Sequence, residues 1–141
     1  MKLIRLVKAD TTVLKQINRL FLQLSTAGRQ ATLAQLKKAI ADKNTCTFVA
    51  VEAGQIVGMA TLLASTRLTG PYGYVQDVVV DEAQRGKGLG KLLMSAVTSR
   101  AKKLKIKEIR LSSNPSRIAA NTLYQKLGFK QKETNVYRLE L

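Results

Sequence analysis

Tyr74-Val75-Gln76-Asp77-Val78-Val79-Val80 leads, through Asp81-Glu82-Ala83, into Gln84-Arg85-Gly86-Lys87-Gly88-Leu89-Gly90-Lys91-Leu92-Leu93. The first run is rich in β-branched residues and reads as a strand, whereas from Leu89 the apolar residues recur at helical spacing. Between them lies a glycine-rich, basic turn. Glycine lets a backbone bend and lets a ligand approach with no Cβ in the way. The helix that opens there aims its free N–H groups and the positive end of its dipole at an anion. Arg85 and Lys87 add full positive charge. The pattern predicts an α/β domain with a diphosphate-binding turn. A flexible basic loop capping a helix is the competing reading, and the flanking sequence decides between them. Two phosphate binders are excluded by spacing. Lys91 follows the wrong glycine interval for a P-loop, and Leu92 supplies no hydroxyl for a metal. Gly86, Gly88 and Gly90 do not fit the dinucleotide pattern Gly-x-Gly-x-x-Gly.

Outward from this turn the chain divides into short elements, with no linker, repeat or low-complexity segment. Leu3 to Val7 alternates like a first strand. Thr11 or Thr12 is placed to cap a helix bearing Val13, Ile17, Leu20, Phe21 and Leu24 on one face, ended by Ser25 to Gly28. A second helix, about Thr32 to Asp42, carries Leu33, Leu36 and Ile40. The period then changes. Thr47 to Val51 and Ile56 to Ala64 read as strands around Ala53-Gly54-Gln55, with glycine supplying positive φ. Arg67 to Gly73 reads as a loop. From Leu89 to about Leu104 a helix turns Leu89, Leu92, Leu93, Ala96, Val97 and Leu104 inward and Lys91, Arg100, Lys102 and Lys103 outward. Glu108 to Leu111 reads as a buried strand. Asn114 is placed as the N-cap and Pro115 as the first residue of a helix to Leu127, which Gly128 stops. Phe129 to Glu133 and Val136 to Leu141 read as a closing antiparallel pair. The order β-α-α-β-β-β-α-β-α-β-β implies, on physical grounds, a layered α/β domain.

Arg85-Gly86-Lys87-Gly88-Leu89-Gly90 satisfies the pattern Arg/Gln-x-x-Gly-x-Gly/Ala. A helix and a strand later comes Asn114-Pro115-Ser116-Arg117-Ile118-Ala119-Ala120-Asn121-Thr122-Leu123-Tyr124-Gln125-Lys126-Leu127-Gly128-Phe129. Together these resemble the two signatures of the GCN5-related N-acetyltransferase (GNAT) superfamily, and the resemblance runs from about Ile56 to the C-terminus. Val75 to Val80 with Arg85 to Leu93 also looks like the glucosamine-phosphate acetyltransferase branch, a local likeness that does not fix a substrate. The resemblance implies a single N-acetyltransferase domain over residues 1–141. Its fold would be a mixed, mostly antiparallel central sheet flanked by helices on both faces, with two splayed strands holding acetyl-CoA.

The implied activity is direct transfer of an acetyl group from acetyl-CoA to a primary amine, on a small molecule or a protein. By resemblance, Val78, Val79 and Val80 align the pantetheine arm, and Arg85, Gly86, Lys87, Gly88, Leu89 and Gly90 hold the phosphates. Asn114 and Asn121 contact cofactor or substrate. Tyr124 bonds the CoA sulfur and protonates it. As residues alone, Tyr124 is equally a packing aromatic, Asn114 a helix cap and Asn121 an exposed helix polar group. The superfamily often carries a glutamate base where this chain has Gln76, which cannot take a proton. Asp77, the only carboxylate of that strand, is the candidate base, although strand alternation points it away from the face of Gln76. Water relaying the proton to solvent is the alternative.

A chain of 141 residues with 45% hydrophobic and 23% charged residues suits one globular domain. It has no histidine, so Ser-His and Cys-His catalysis and the common zinc sites are excluded on composition, and no metal is expected. The lone Cys46, in Thr45-Cys46-Thr47-Phe48-Val49, reads as a small core or strand residue. Met1 to Lys8 alternates charge and apolarity, unlike a signal peptide, and no apolar run suits a bilayer; a cytoplasmic protein without a membrane partner is expected, as monomer or homodimer. The net charge is +15, and from Arg85 to Lys132 the only acid is Glu108. Beyond the cofactor phosphates, that excess suits an acidic substrate, a ribosomal or nucleic-acid surface, or solubility alone. The second function class is therefore a non-catalytic CoA-binding or nucleic-acid-binding module on the same fold.

Overall fold

Alternating apolar residues and tight turns string three long strands into an antiparallel meander. In a computed structural model describing residues 1–141, these are β2 (Thr45–Glu52), β3 (Gln55–Arg67) and β4 (Gly70–Val80). Ala53 and Gly54 both take positive φ, +48° and +77°, as the expected hairpin turn requires. An N-terminal strand, β1 (Lys2–Arg5), adds antiparallel to β2, and β5 (Ile109–Arg110) adds parallel to β4. The sheet order is β1-β2-β3-β4-β5, so all but the last pairing is antiparallel.

Helices α1 (Thr11–Leu24) and α2 (Leu33–Ala41) cover one face of the sheet, and α3 (Leu89–Lys103) and α4 (Ile118–Lys126) the other. The period-2 alternation of the strands divides the apolar residues accordingly. Ile17, Leu20 and Leu36 meet Val49, Met59 and Val79 on the first face. Leu93, Met94, Val97 and Ala101 meet Cys46, Ala60, Leu62 and Val75 on the second. Cys46 is thus a buried core residue. Polar side chains of α1 fasten that helix to the strand ends. Arg19 Nη2 lies 3.0 Å from Asp81 Oδ2 and donates to the Ile56 carbonyl, while Gln23 Oε1 accepts from Glu82 N at 2.9 Å.

Several expectations are corrected. Asp10, not Thr11 or Thr12, caps α1, because its carboxylate accepts the Val13 N–H at 2.8 Å. Arg67 to Gly73 is no loop: β3 and β4 continue to a turn at Leu68-Thr69, their pairing extending to Arg67 and Gly70. Leu92 points outward on α3 and Met94 takes the core position. The strand after α3 is short and half-exposed, an edge rather than a buried strand. Arg117, not Asn114, is the N-cap of α4. The Asn114 side chain instead accepts from Ser116 N and Oγ, a local turn that delays the helix. The closing strand pair does not form. Beyond Phe129 no backbone hydrogen bond is made, and Val136, Tyr137, Leu139 and Leu141 are exposed. β5 presents too short an edge to register a further strand, and Phe129 to Glu133 has little apolar surface to drive pairing.

Candidate active site

β4 and β5 touch only at Gly73–Ile109 and Tyr74–Arg110, then part. The gap between them is a cleft of about 280 Å³ running along β4 from Tyr74 to Val78. Leu111 and Ser112 line its β5 side, and Leu24, Arg117 and Tyr124 close its ends. Tyr124 belongs to the α3/α4 core, whereas Leu24 ends α1, so the cleft passes through the sheet from one layer to the other.

A β-bulge shapes the β4 wall. Met59 pairs with Val79 and Thr61 with Gln76, so Ala60 alone faces both Asp77 and Val78. Asp77 is the extra residue, at φ +56°. This breaks the alternation expected from sequence, and Asp77 lines the same cleft as Gln76. Burial pushes its carboxyl above the ordinary range. The bulge also presents backbone to the gap. Arg117 Nη2 donates to the Val78 carbonyl at 2.9 Å, and Arg85 Nε donates to the Val80 carbonyl at 3.1 Å. Those carbonyls face away from β3, and the N–H of a strand residue points to the same side as its C=O. Val78 and Val80 therefore offer N–H groups to the open edge. Val79 pairs with Met59 and is buried in the α1 layer, so it carries the strand but does not reach the cleft.

At the end of β4 the glycine turn has the expected form. Gly86 and Gly88 take φ of +78° and +79°, and no atom lies within 4 Å of where a Cβ would stand on either. No protein acceptor takes the backbone N–H of residues 86 to 91; the first helical bond is Leu92 N to Gly88 O at 3.1 Å. Six donors thus converge on open space, the chemistry an extended polyphosphate requires. Lys87 reaches back to Gln84 Oε1 at 2.7 Å. Leu89 is buried by its side chain, so only its N–H is available. Gly90 has a packing reason: a Cβ there would stand 2.8 Å from Leu123 Cδ2 on α4.

Across the cleft, a Schellman motif sets Tyr124. The Phe129 N–H bonds the Tyr124 carbonyl and the Gly128 N–H that of Gln125, both at 3.0 Å, with Gly128 at φ +91°. The Tyr124 and Phe129 rings pack with centroids 5.9 Å apart. The phenol is buried, and desolvation pushes its pKa up while Arg117 beside it pulls the other way. Asn114 and Asn121 bind each other, Asn121 Nδ2 donating to the Asn114 carbonyl at 3.0 Å, and so brace the loop that ends the cleft. Tyr74, Ser112 and Arg117 are site residues that sequence reasoning missed. Arg117 stood in the second motif; Tyr74 and Ser112 carried no signal of their own.

A polyphosphate cradle, a bulged strand with free N–H groups, and a phenol across a through-sheet cleft now stand together. The profile of the acetyltransferase (GNAT) family matches residues 14–129. The chain belongs to that family. A glucosamine 6-phosphate N-acetyltransferase of Trypanosoma brucei brucei is 34% identical over 91 residues, 62% of this chain and 59% of that relative. The chain therefore spans less than two thirds of that relative's length. An Agrobacterium tumefaciens protein assigned to the acetyltransferases superposes with a TM-score of 0.86 at 26% identity, covering 99% of this chain and all of that one. An aminoglycoside acetyltransferase from a soil metagenome reaches 0.84 at 23% identity over 99% of this chain and 95% of its own, a likeness of fold alone. The GNAT-type sheet and its flanking helices are thereby established. No helix is long and apolar enough to cross a membrane.

Proposed function

We propose that this GNAT chain transfers the acetyl group of acetyl-CoA to a small-molecule primary amine inside the cleft. The observation that carries the reading is the juxtaposition of Asp77, the Val78 N–H and Tyr124 on one gap that opens beside the unpaired N–H groups of residues 86–91. The residues fit the cosubstrate: the turn suits its phosphates, and the open edge at Val78 and Val80 suits its amide-bearing arm. Acetyl-CoA brings an acyl carbon and a thiolate leaving group.

The chain's own groups do the rest. Asp77 takes the proton that the amine must lose to become a nucleophile; its raised pKa makes it a better base than an exposed aspartate. The Val78 N–H stabilises negative charge that develops on the acyl oxygen as the nitrogen–carbon bond forms. Tyr124, protonated at neutral pH, gives its proton to the sulfur as the carbon–sulfur bond breaks. Arg117 ties α4 to β4 and keeps the phenol and the strand in register.

The test is free-thiol release from acetyl-CoA against a panel of aminosugars, polyamines, amino acids and N-terminal peptides. Turnover with at least one amine is expected. Tight acetyl-CoA binding with no turnover on any of them would instead make the chain a CoA-binding module.

A further inference from the structure

We propose that Arg67, Tyr72 and Arg110 form an anion-binding subsite for the acceptor, and that the amine acetylated here carries a phosphate monoester. The inference rests on the acetyltransferase reading above. The donor turn opens α3, on one face of the sheet, which leaves the opposite mouth of the cleft to the acceptor. At that mouth stand Tyr74 and Ser112, whose hydroxyls hydrogen-bond across the splay. One strand repeat further out on the same face, about 7 Å away, lie Tyr72 on β4 and Arg110 on β5. Arg67, from the end of β3, stacks on the Tyr72 ring with its guanidinium carbon 4.3 Å from the centroid; that of Arg110 lies 5.7 Å from it.

Stacking holds both guanidinium planes with their forks largely free, the arrangement that suits bidentate phosphate binding. Arg110 spends only its Nε on Glu108, and the nearest approach of Arg67 to that carboxylate is a loose 3.9 Å. Neither guanidinium has another protein acceptor. Glu108 is also within the field of Lys132, so one carboxylate stands among three cations and the cluster keeps a charge of about +2. A phosphate monoester dianion matches that charge and the fork geometry. Polycationic amines are disfavoured, because Asp77 is the only carboxylate lining the cleft.

The experiment compares kcat/KM for matched amines with and without phosphate: glucosamine and its 6-phosphate, ethanolamine and its phosphate ester, with β-alanine as a carboxylate control. A preference of at least about tenfold for a phosphorylated member is expected. In the double variant Arg67→Gln/Arg110→Gln that preference should fall toward unity through KM, with acetyl-CoA affinity by calorimetry reporting an intact fold. Turnover without a phosphate preference, a stronger preference for the carboxylate, or a preference that survives the double variant overturns the subsite. No turnover with any amine at all overturns the acetyltransferase reading beneath it and the subsite with it.

Discussion

Tyr124 is the residue on which the chemistry turns most sharply. Its ring is held by the Gly128-Phe129 cap and by burial, so Tyr124→Phe should keep the packing and remove only the proton donor. We expect acetyl-CoA to bind as before and kcat to fall on the order of 100-fold, the scale of a lost general acid. Because burial raises the phenol pKa, the alkaline decline of the wild type should begin above the ordinary tyrosine value of about 10 and be absent in the variant. Asp77 makes the complementary prediction. Its pKa is raised in the fold, so the ionised carboxylate destabilises the native state above the unfolded pKa of about 3.9, and fully so above the folded one. Asp77→Asn suits the position, since asparagine tolerates positive φ. Thermal melts should therefore show a higher Tm for the variant at pH 7 and no gain near pH 3, while kcat drops and the acid limb of the rate profile disappears. A variant with unchanged activity would assign the proton to water.

Among the elements, α3 is built differently at its two ends, one for ligand and one for stability. Its N-terminus lacks a side-chain cap and opens from Gly88 at φ +79°, which leaves its first donors free. Gly88→Ala places a Cβ in the open cradle and forces the left-handed conformation on a residue that resists it, at roughly 1–2 kcal/mol. Calorimetry should show acetyl-CoA affinity at least about tenfold weaker in a chain that still folds. Its C-terminus is closed by a Schellman motif in which Ile106 N bonds Ala101 O and Lys105 N bonds Lys102 O, both at 3.0 Å. Lys105 occupies the left-handed position at φ +62°, where glycine is preferred. Lys105→Gly should raise stability by about 0.5–1 kcal/mol in a denaturant melt, without a change in kcat. Turn chemistry of this kind is legible from sequence when glycine marks it, as at Gly128. It is not legible when lysine or aspartate takes the glycine conformation, as at Lys105 and Asp77.

Across the whole molecule, the +15 charge sits on a domain whose proposed cosubstrate is a polyanion. Attraction between the two is screened by salt, with a Debye length of about 10 Å at 0.1 M. The KM for acetyl-CoA should rise several-fold between about 0.05 and 0.5 M salt while kcat holds, and a flat response would leave the charge without a part in donor binding. Periodicity, glycine spacing and the two motifs by themselves determined the layered α/β architecture, the donor turn and the placing of Tyr124 at a helix end, because each is written in local residue order. Local order did not reveal the bulge that swings Asp77 into the cleft, for it arises from the pairing of β4 against β3. Nor did it reveal that Arg67 and Tyr72 belong to a hairpin, or that the last strand-like residues find no edge to pair with. Those outcomes depend on register and on the length of a neighbouring strand, which residues distant in sequence set together, and only the tertiary structure decided them.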